Sequence, residues 1–268
     1  MKNVKCARCV RCGKEYEAVP NLTNCSCGGI LDIVYDYDYI KAHLTKETLK
    51  NRVNPTMWRY RELLPVEETT PDTPLRMASE GNALADLFNA VQLWASGAQL
   101  SATSLANDVA GLPRTVRRRD LLIAYPYTNT LAGLEITGKV LKAALERSAE
   151  YFSRGEDGRL CVSDVFLRPK VEHYNYDYYA GVSYVYDISR PVGERVTSMR
   201  VNGQDVREED TFTICLNSYR ASGTGGYDFY VGCPVVREIG TEMADLILDC
   251  FKEFKGNIPA MQSDFRVI

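Results

Sequence analysis

Five of the nine cysteines lie in the first 27 residues, as Cys6, Cys9, Cys12, Cys25 and Cys27. Cys9-Val-Arg-Cys12-Gly and Cys25-Ser-Cys27-Gly-Gly form two close pairs separated by twelve residues. Zinc takes four thiolates in a tetrahedron, and two paired turns can supply two each. Gly13, Gly28 and Gly29 relieve the backbone crowding of such turns. Cys6 also makes a Cys-x-x-Cys pair with Cys9, so one of Cys6, Cys9 and Cys12 is surplus. The expected ligands are Cys9, Cys12, Cys25 and Cys27, with Cys6 a spectator. Four thiolates leave no open position, so zinc here would be structural. The same residues also fit a metal-free knuckle of reduced thiols, or a redox pair.

A second chemical feature is Asn217-Ser-Tyr-Arg-Ala-Ser-Gly-Thr-Gly-Gly-Tyr227-Asp228, which follows a strand-like run. Gly223, Gly225 and Gly226 permit positive φ and close backbone approach to a ligand. Tyr227 offers a flat face for a nucleobase, and Asn217 and Asp228 offer polar edges. The bland counterpart is a glycine-rich turn with a core tyrosine. A third feature is the run His173 to Tyr186, with six tyrosines between 174 and 186. It reads either as an aromatic wall of a binding site or as an alternating strand with an exposed tyrosine face.

These features need elements to position them. Leu84, Leu87, Phe88, Val91 and Trp94 repeat at helical spacing, predicting an amphipathic helix over 82–96. Thr137 precedes a second helix, with Val140, Leu141, Ala144, Leu145 and Phe152 on one face. Met243, Leu246, Ile247, Cys250, Phe251 and Phe254 define a third. Val182, Tyr184 and Tyr186 alternate as in a half-buried strand. Asn202-Gly203 between strand-like runs signals a hairpin, and Phe212, Ile214 and Leu216 mark a further strand. The stretch Val66 to Leu75 carries Pro71 and Pro74 and several acids without periodicity, so 66–79 reads as a linker between a segment 1–65 and a domain 80–268.

The chain has 268 residues, 45% hydrophobic and 25% charged, which excludes global disorder. A net charge of −3 argues against a nucleic-acid binder, although Lys2, Lys5, Arg8, Arg11 and Lys14 cluster near the cysteines. No apolar run approaches the ~20 residues of a membrane helix. No signal peptide is visible at the N-terminus, so a cytoplasmic location is expected.

Two resemblances add to this reading. Lys5 to Tyr16, Cys25 to Tyr37 and Met57-Trp-Arg-Tyr-Arg-Glu-Leu-Leu-Pro resemble the N-terminal segment of microbial threonine synthases, over about the first 70 residues. The extra Cys-x-x triplet departs from that family's single Cys-x-x-Cys-Gly. Its pyridoxal-phosphate lysine context and phosphate cup do not appear here, so no pyridoxal phosphate is expected. From about Glu80 to Phe254 the chain resembles the C-terminal domain of the 5′-nucleotidase family, closest to the 2′,3′-cyclic-nucleotide 2′-phosphodiesterase/3′-nucleotidase branch. The residues that carry this are Tyr125-Pro-Tyr-Thr-Asn-Thr-Leu-Ala-Gly-Leu-Glu-Ile-Thr-Gly-Lys, Lys170-Val-Glu-His-Tyr-Asn-Tyr-Asp, Asp187-Ile-Ser-Arg-Pro-Val-Gly-Glu-Arg-Val and the Asn217–Tyr227 loop.

That resemblance implies an α/β (α+β) domain with a mixed sheet and flanking helices, preceded by a small zinc-ribbon-like β knuckle. It implies a nucleoside held between two aromatic rings, which match Tyr227 and, at Tyr178/Tyr179, Tyr179. Asn217, Gly223 and Gly225 match the loop. The family's Gly-Gly-x-Arg phosphate grip is missing, which leaves Arg114 and the run Arg117–Arg119 as weak substitutes or as a solvated face. The family's hydrolytic centre uses two metals on histidine-rich motifs. With only His43 and His173, this chain cannot rebuild it, and no catalytic residue is assigned. Four functions follow in order: a nucleoside- or nucleotide-binding module; a nucleotide phosphoesterase working with a metallophosphoesterase partner; a pyridoxal-phosphate lyase; and a zinc-ribbon nucleic-acid binder.

Overall fold

Val4–Cys9 (β1) lies between Glu15–Tyr16 (β2) and Leu31–Tyr35 (β3) in a three-stranded antiparallel sheet. The computed structural model describes residues 1–19, 22–52, 57–66, 73–109, 111–113, 115–258 and 263–268. The chain divides into two compact units, Met1–Pro71 and Asp72–Ile268. No helix among the described residues is long and apolar enough to cross a membrane.

In the first unit, Cys9 sits at the end of β1 opposite Leu31. The turn after it closes as the Gly13 amide donates to the Cys9 carbonyl at 2.9 Å. Two helices follow, Tyr37–His43 (α1) and Lys46–Asn51 (α2). Asp36 caps α1 by accepting from the amides of Asp38 and Tyr39, and Thr45 and Thr48 form a reciprocal capping box on α2. A 3₁₀ segment, Met57–Leu63, is the last regular element among the unit's described residues. It is tied back by Arg52, whose Nη1 and Nη2 donate to Glu62 Oε2 and Oε1 at 2.8 and 2.5 Å.

The second unit begins with a helix, Thr73–Glu80 (α3), so part of the stretch read as linker is helical. Ala83–Ser96 (α4) starts at Asn82, whose side chain accepts from two helix amides, and ends at Gly97 with φ +68°. The next elements are Leu100–Ser104 (β4), Arg118–Ala124 (α5), Leu131–Thr137 (β5) and Gly138–Ala149 (α6). Phe152 belongs not to α6 but to a short hairpin, Phe152–Arg154 (β6) with Leu160–Val162 (β7). The helix stops at Glu150, and the extended chain turns Phe152 against Tyr151, Tyr176 and Tyr186 instead of along the helix face.

The remaining elements are Asp177–Ala180 (β8), Ser183–Tyr186 (β9), Val196–Val201 (β10), Gln204–Asp205 (β11), Thr211–Asn217 (β12), Ser218–Ala221 (α7), Val235–Ile239 (β13), Met243–Glu253 (α8) and Asp264–Val267 (β14). Five strands form a mixed sheet in the order β13-β5-β12-β4-β8. Its centre is β12, antiparallel to β5 and parallel to β4. Ile214, Cys215 and Leu216 on it are fully buried. Helix α4 packs on β4 and β8, α8 packs on α4, and α6 packs on β5 and β10. The buried Gln92 Nε2 of α4 donates to the carbonyls of Ala102 and Cys215 at 2.9 and 3.2 Å, fixing that helix to two strands. A second sheet runs β11-β10-β9-β14. Its β10–β11 hairpin turns at Asn202 (φ +50°) and Gly203 (φ +77°), the two positive-φ positions a tight hairpin turn requires.

The Arg52 guanidinium pulls the Glu62 carboxyl down to about 2. An unfolded glutamate titrates near ~4.3. A depressed folded value adds stability that is present above the unfolded pKa and lost as pH falls toward the folded one. The first unit should therefore lose stability between about pH 5 and pH 2, and Glu62→Gln should flatten that dependence in acid unfolding followed by circular dichroism. An unchanged acid profile would contradict this.

Candidate functional site

The pairing of β5 with β12 fixes where the polar residues of the second unit meet. Asn217 pairs with Leu131, and Ser104 at the end of β4 pairs with Asp177 at the start of β8. Because β4 and β12 are parallel, the ends of both, the start of β5 and the start of β8 all lie at one end of the sheet. Asn217 caps the short α7, its Oδ1 accepting from the Arg220 amide at 2.8 Å. That turn carries Arg220 back into the interior.

Arg220 is 1% exposed and meets Asp177 in a two-pronged pair. Its Nε donates to Asp177 Oδ2 and its Nη2 to Oδ1, both at 2.8 Å. Nη1 donates to the Thr224 carbonyl at 2.7 Å and Nη2 also to the Tyr174 carbonyl at 3.1 Å. Burial opposes the guanidinium charge, but Asp177 beside it outweighs that and holds Arg220 charged. The guanidinium carbon stands 4.0 Å from the centre of the Tyr227 ring, a cation–π contact.

The glycine loop wraps this group rather than a ligand. Gly225 has φ +82°, and a Cβ there would collide with Asn175 Oδ1 and Arg220 Nη1. Gly223 is closed off by Val231 and Asp228, and Gly226 by Arg147. Asp228 is exposed and opens a 3₁₀ turn, Asp228–Tyr230.

The two rings expected to sandwich a base are instead core residues. Tyr227 and Tyr179 are both 0% exposed. The Tyr227 hydroxyl donates to the Asn175 carbonyl at 3.1 Å and lies 2.9 Å from Ser148 Oγ, and its ring runs parallel to that of Tyr230. The Tyr179 hydroxyl donates to the Ala144 carbonyl at 2.9 Å. Both hydroxyls are satisfied inside, and neither ring reaches solvent in this structure. The tyrosine run from Tyr176 to Tyr186 is likewise interior: all four residues of β8 are buried, and Tyr184 and Tyr186 alternate inward from β9. This overturns the exposed tyrosine face. A phenol can be buried wherever a main-chain carbonyl meets its hydroxyl, as Ala78 does for Tyr176 at 2.9 Å.

The aromatic residues that do reach solvent at this end are Tyr127 and Tyr219, 36% and 38% exposed, with Tyr174 half-buried beside them. The Tyr127 phenol is raised first by partial burial and then by Tyr174 and Tyr219, which places the three as neighbours. Tyr219 is raised in the same way, by burial and then by Tyr174. Sequence reasoning passed over both residues in favour of Tyr227. The signal lay in spacing. Tyr127 precedes Leu131 by four residues, Tyr219 follows Asn217 by two, and Leu131 faces Asn217 across the ladder.

Of the arginines weighed for phosphate contact, Arg114 lies outside the described residues. Arg118 is exposed and paired with Asp245 at 3.0 Å, and Arg119 lies 3.7 Å from Asp120.

In the first unit, Cys9, Cys12, Cys25 and Cys27 bring their sulfurs within 4.8 Å of one another, the one such group of metal-capable side chains among the described residues. Cys9 and Cys27 are 3.6 Å apart, and Cys12 and Cys25 3.5 Å. Cys6 stands apart on β1, opposite Val34. The amides of Arg11 and Cys12 both donate to Cys9 Sγ at 3.4 Å, so the backbone lowers that thiol. Cys25 is lowered to about 6 by the Cys27 amide and then by the Tyr16 hydroxyl, 3.0 Å away. At Cys27 the Gly29 amide lowers the thiol, but the three neighbouring sulfurs outweigh it and push it up to about 12. Four sulfurs this close, with amides aimed at them, fit a tetrahedral thiolate ligand set.

The profile of the 5′-nucleotidase, C-terminal domain, matches residues 66–232, more than half of the chain. The chain belongs to that family. A Staphylococcus aureus chain assigned as a 5′-nucleotidase, solved with α-ketoglutarate, superposes with a TM-score of 0.69 at 32% identity, over 89% of this chain and 48% of that one. The 2′,3′-cyclic-nucleotide 2′-phosphodiesterase/3′-nucleotidase of Salmonella typhimurium is 31% identical over 111 residues, 37% of this chain and 17% of that protein. The threonine synthase of Methanocaldococcus jannaschii is 44% identical over 61 residues, 23% of this chain and 15% of that enzyme. The chain thus spans less than half the length of each of these relatives. A short threonine-synthase-like segment and a nucleotidase C-terminal domain share one polypeptide.

Asp177→Asn should leave the Arg220 charge buried without its partner and cost about 3–5 kcal/mol. Chemical denaturation would read the loss, and a change below about 1 kcal/mol would show the pair to be dispensable.

Proposed function

We propose that the second unit is a nucleoside- or nucleotide-binding domain of the 5′-nucleotidase type, with Tyr127 and Tyr219 as its aromatic platform. The observation that carries this reading is the gathering of solvent-reaching tyrosines over the Asn217 cap at one end of the sheet, in a chain of this family. A base laid against these rings gains stacking of roughly 1–3 kcal/mol per base. The glycine loop and the Arg220–Asp177 pair act behind the platform, setting the position of α7 and therefore of Tyr219.

Hydrolysis of a phosphate ester by this family's route needs two metals on histidine-rich motifs. The one cluster of metal-capable side chains among the described residues is made of thiols. On this reading the chain alone binds without turnover. A phosphoesterase activity would require a metal-bearing domain in addition to these residues.

Calorimetric titration with adenosine and its monophosphates tests the binding. Saturable binding is expected in the millimolar to high-micromolar range, about −4 to −6 kcal/mol. Tyr219→Ala should weaken it by about tenfold or more, since 1.4 kcal/mol is a factor of ten. Tyr227→Phe, which keeps the buried ring, should leave it unchanged. Absence of saturable heat, or indifference to both Tyr127→Ala and Tyr219→Ala, would reject the platform.

The cysteine cluster is proposed as a structural zinc site of Cys9, Cys12, Cys25 and Cys27. Metal analysis of protein purified without chelator should find one zinc per chain. Cys12→Ser should lower that content, whereas Cys6→Ser should not. Equal loss from both variants, or no zinc in either, would refute the assignment.

A further inference from the structure

The four clustered sulfurs of the first unit differ in what they meet. Cys9 and Cys25 are 2% and 5% exposed, whereas Cys12 and Cys27 reach solvent. Each exposed sulfur lies against a buried one from the other turn. Cys12 meets Cys25 at 3.5 Å and Cys27 meets Cys9 at 3.6 Å, both in hydrogen-bond geometry. The chain holds these contacts from several sides. The Tyr16 hydroxyl stands 3.0 Å from Cys25 Sγ and accepts from the Ser26 amide at 3.3 Å. The amides of Arg11 and Cys12 point at Cys9 Sγ. Gly29 lies over the second pair, where a Cβ would stand 2.6 Å from Cys9 Sγ and 3.4 Å from Cys27 Sγ. Arg11 Nη1 donates to the Cys27 carbonyl at 3.4 Å. The two turns are therefore closed against each other as well as within themselves.

A zinc enclosed by four thiolates has no open position and no redox chemistry of its own. What arrives from solvent at such a centre meets sulfur. A disulfide holds its sulfurs about 2.05 Å apart, so each cross-turn contact needs to close by about 1.5 Å. An exposed thiolate beside a sheltered one is the arrangement of an attacked and a resolving cysteine.

We propose that this knuckle is an oxidation site, at which a hydroperoxide joins Cys12 to Cys25 and Cys27 to Cys9 and frees the zinc they hold. The exposed thiolate takes one peroxide oxygen as the O–O bond breaks, giving a sulfenic acid. The other oxygen leaves as hydroxide from hydrogen peroxide, or as the alkoxide from an organic peroxide. The thiolate of the buried partner then attacks the sulfenic sulfur, the S–S bond forms and hydroxide leaves. Each disulfide thus passes two electrons to one peroxide. Two disulfides consume all four thiolates, and zinc departs as the divalent ion. The release of zinc rests on the structural-zinc reading; the pairing of the sulfurs does not.

The probe is hydrogen peroxide, added to the full chain after reduction, with its metal in place. Remaining thiols are alkylated at intervals. Disulfides are mapped by mass spectrometry with fragmentation between Cys25 and Cys27, and free zinc is read with a chromophoric chelator. Both cross-turn links are expected, with loss of all bound zinc as they form. Cys6 and Cys161, half-buried outside the cluster, should still be alkylated at that point. A phosphine reductant should restore zinc uptake. Cys27→Ser should still form Cys12–Cys25, and Cys25→Ser should still form Cys9–Cys27; circular dichroism verifies that each is folded. Links within a turn, links of Cys12 to Cys27 or of Cys9 to Cys25, or sulfonic acids in place of disulfides would overturn the proposal. So would zinc retained while the links form, or cluster thiols that outlast Cys6. Both cross-turn links in protein that carried no zinc would uphold the oxidation site and refute the zinc reading alone.

Discussion

A guanidinium with 2% of its side-chain surface exposed organises the end of the second unit's sheet at which β4 and β12 finish. An arginine that deep demands acceptors on every side, because an unpaired buried charge is far too costly to keep. Asp177 satisfies two of its donors, and main-chain carbonyls from Thr224 and Tyr174 satisfy others. Those partners sit on β8, on the segment before it and in the glycine loop after α7. The loop must therefore curl closely around the guanidinium, and that explains why Gly225 sits where any side chain would collide with Arg220. The Tyr227 ring then closes the cage from a face.

This arrangement separates two roles that one aromatic residue could have combined. Tyr227 and Tyr179 build the interior, and Tyr127 and Tyr219 meet solvent. The outer pair depends on the inner set, since Tyr219 rides on a helix of four residues whose cap is Asn217 and whose buried anchor is Arg220. A substitution in the glycine loop would thus reach the exposed Tyr219 through Arg220. The first unit follows a different economy. Its β2-β1-β3 sheet is small, and its order comes from the thiol cluster, the Arg52–Glu62 clasp and helix caps rather than from a broad apolar core.

Local signals in the sequence transferred well to the structure. Thr137 as the residue before a helix, Asn202-Gly203 as a hairpin turn, the stripe from Met243 to Cys250 and the choice of four cysteines over Cys6 all depend on near neighbours in the chain. What was not legible depended on partners far away. The helical spacing that included Phe152 could not reveal that the chain turns extended after Glu150. Tyrosines between 176 and 186 look half-exposed until other elements cover them, as the carbonyls of Ala78 and Ala144 do when they take the hydroxyls of Tyr176 and Tyr179. The glycine loop was recognisable as a place of close approach. That the approaching group is Arg220 of the same chain required the pairing of β12 with β5 and of β4 with β8.

The buried tyrosines carry a consequence for the solvent conditions the second unit tolerates. Burial raises the phenols of Tyr176, Tyr179, Tyr186 and Tyr230 well above their ordinary value, and each would have to ionise in a place with no water to receive the charge. In the unfolded chain they ionise near ~10. The stabilising effect is whole below that value and drains away as alkali is added, with every phenol pulling toward the unfolded state together. The same interlocked rings that give this domain a dense interior make its stability fall as the pH rises past the phenols' ordinary value.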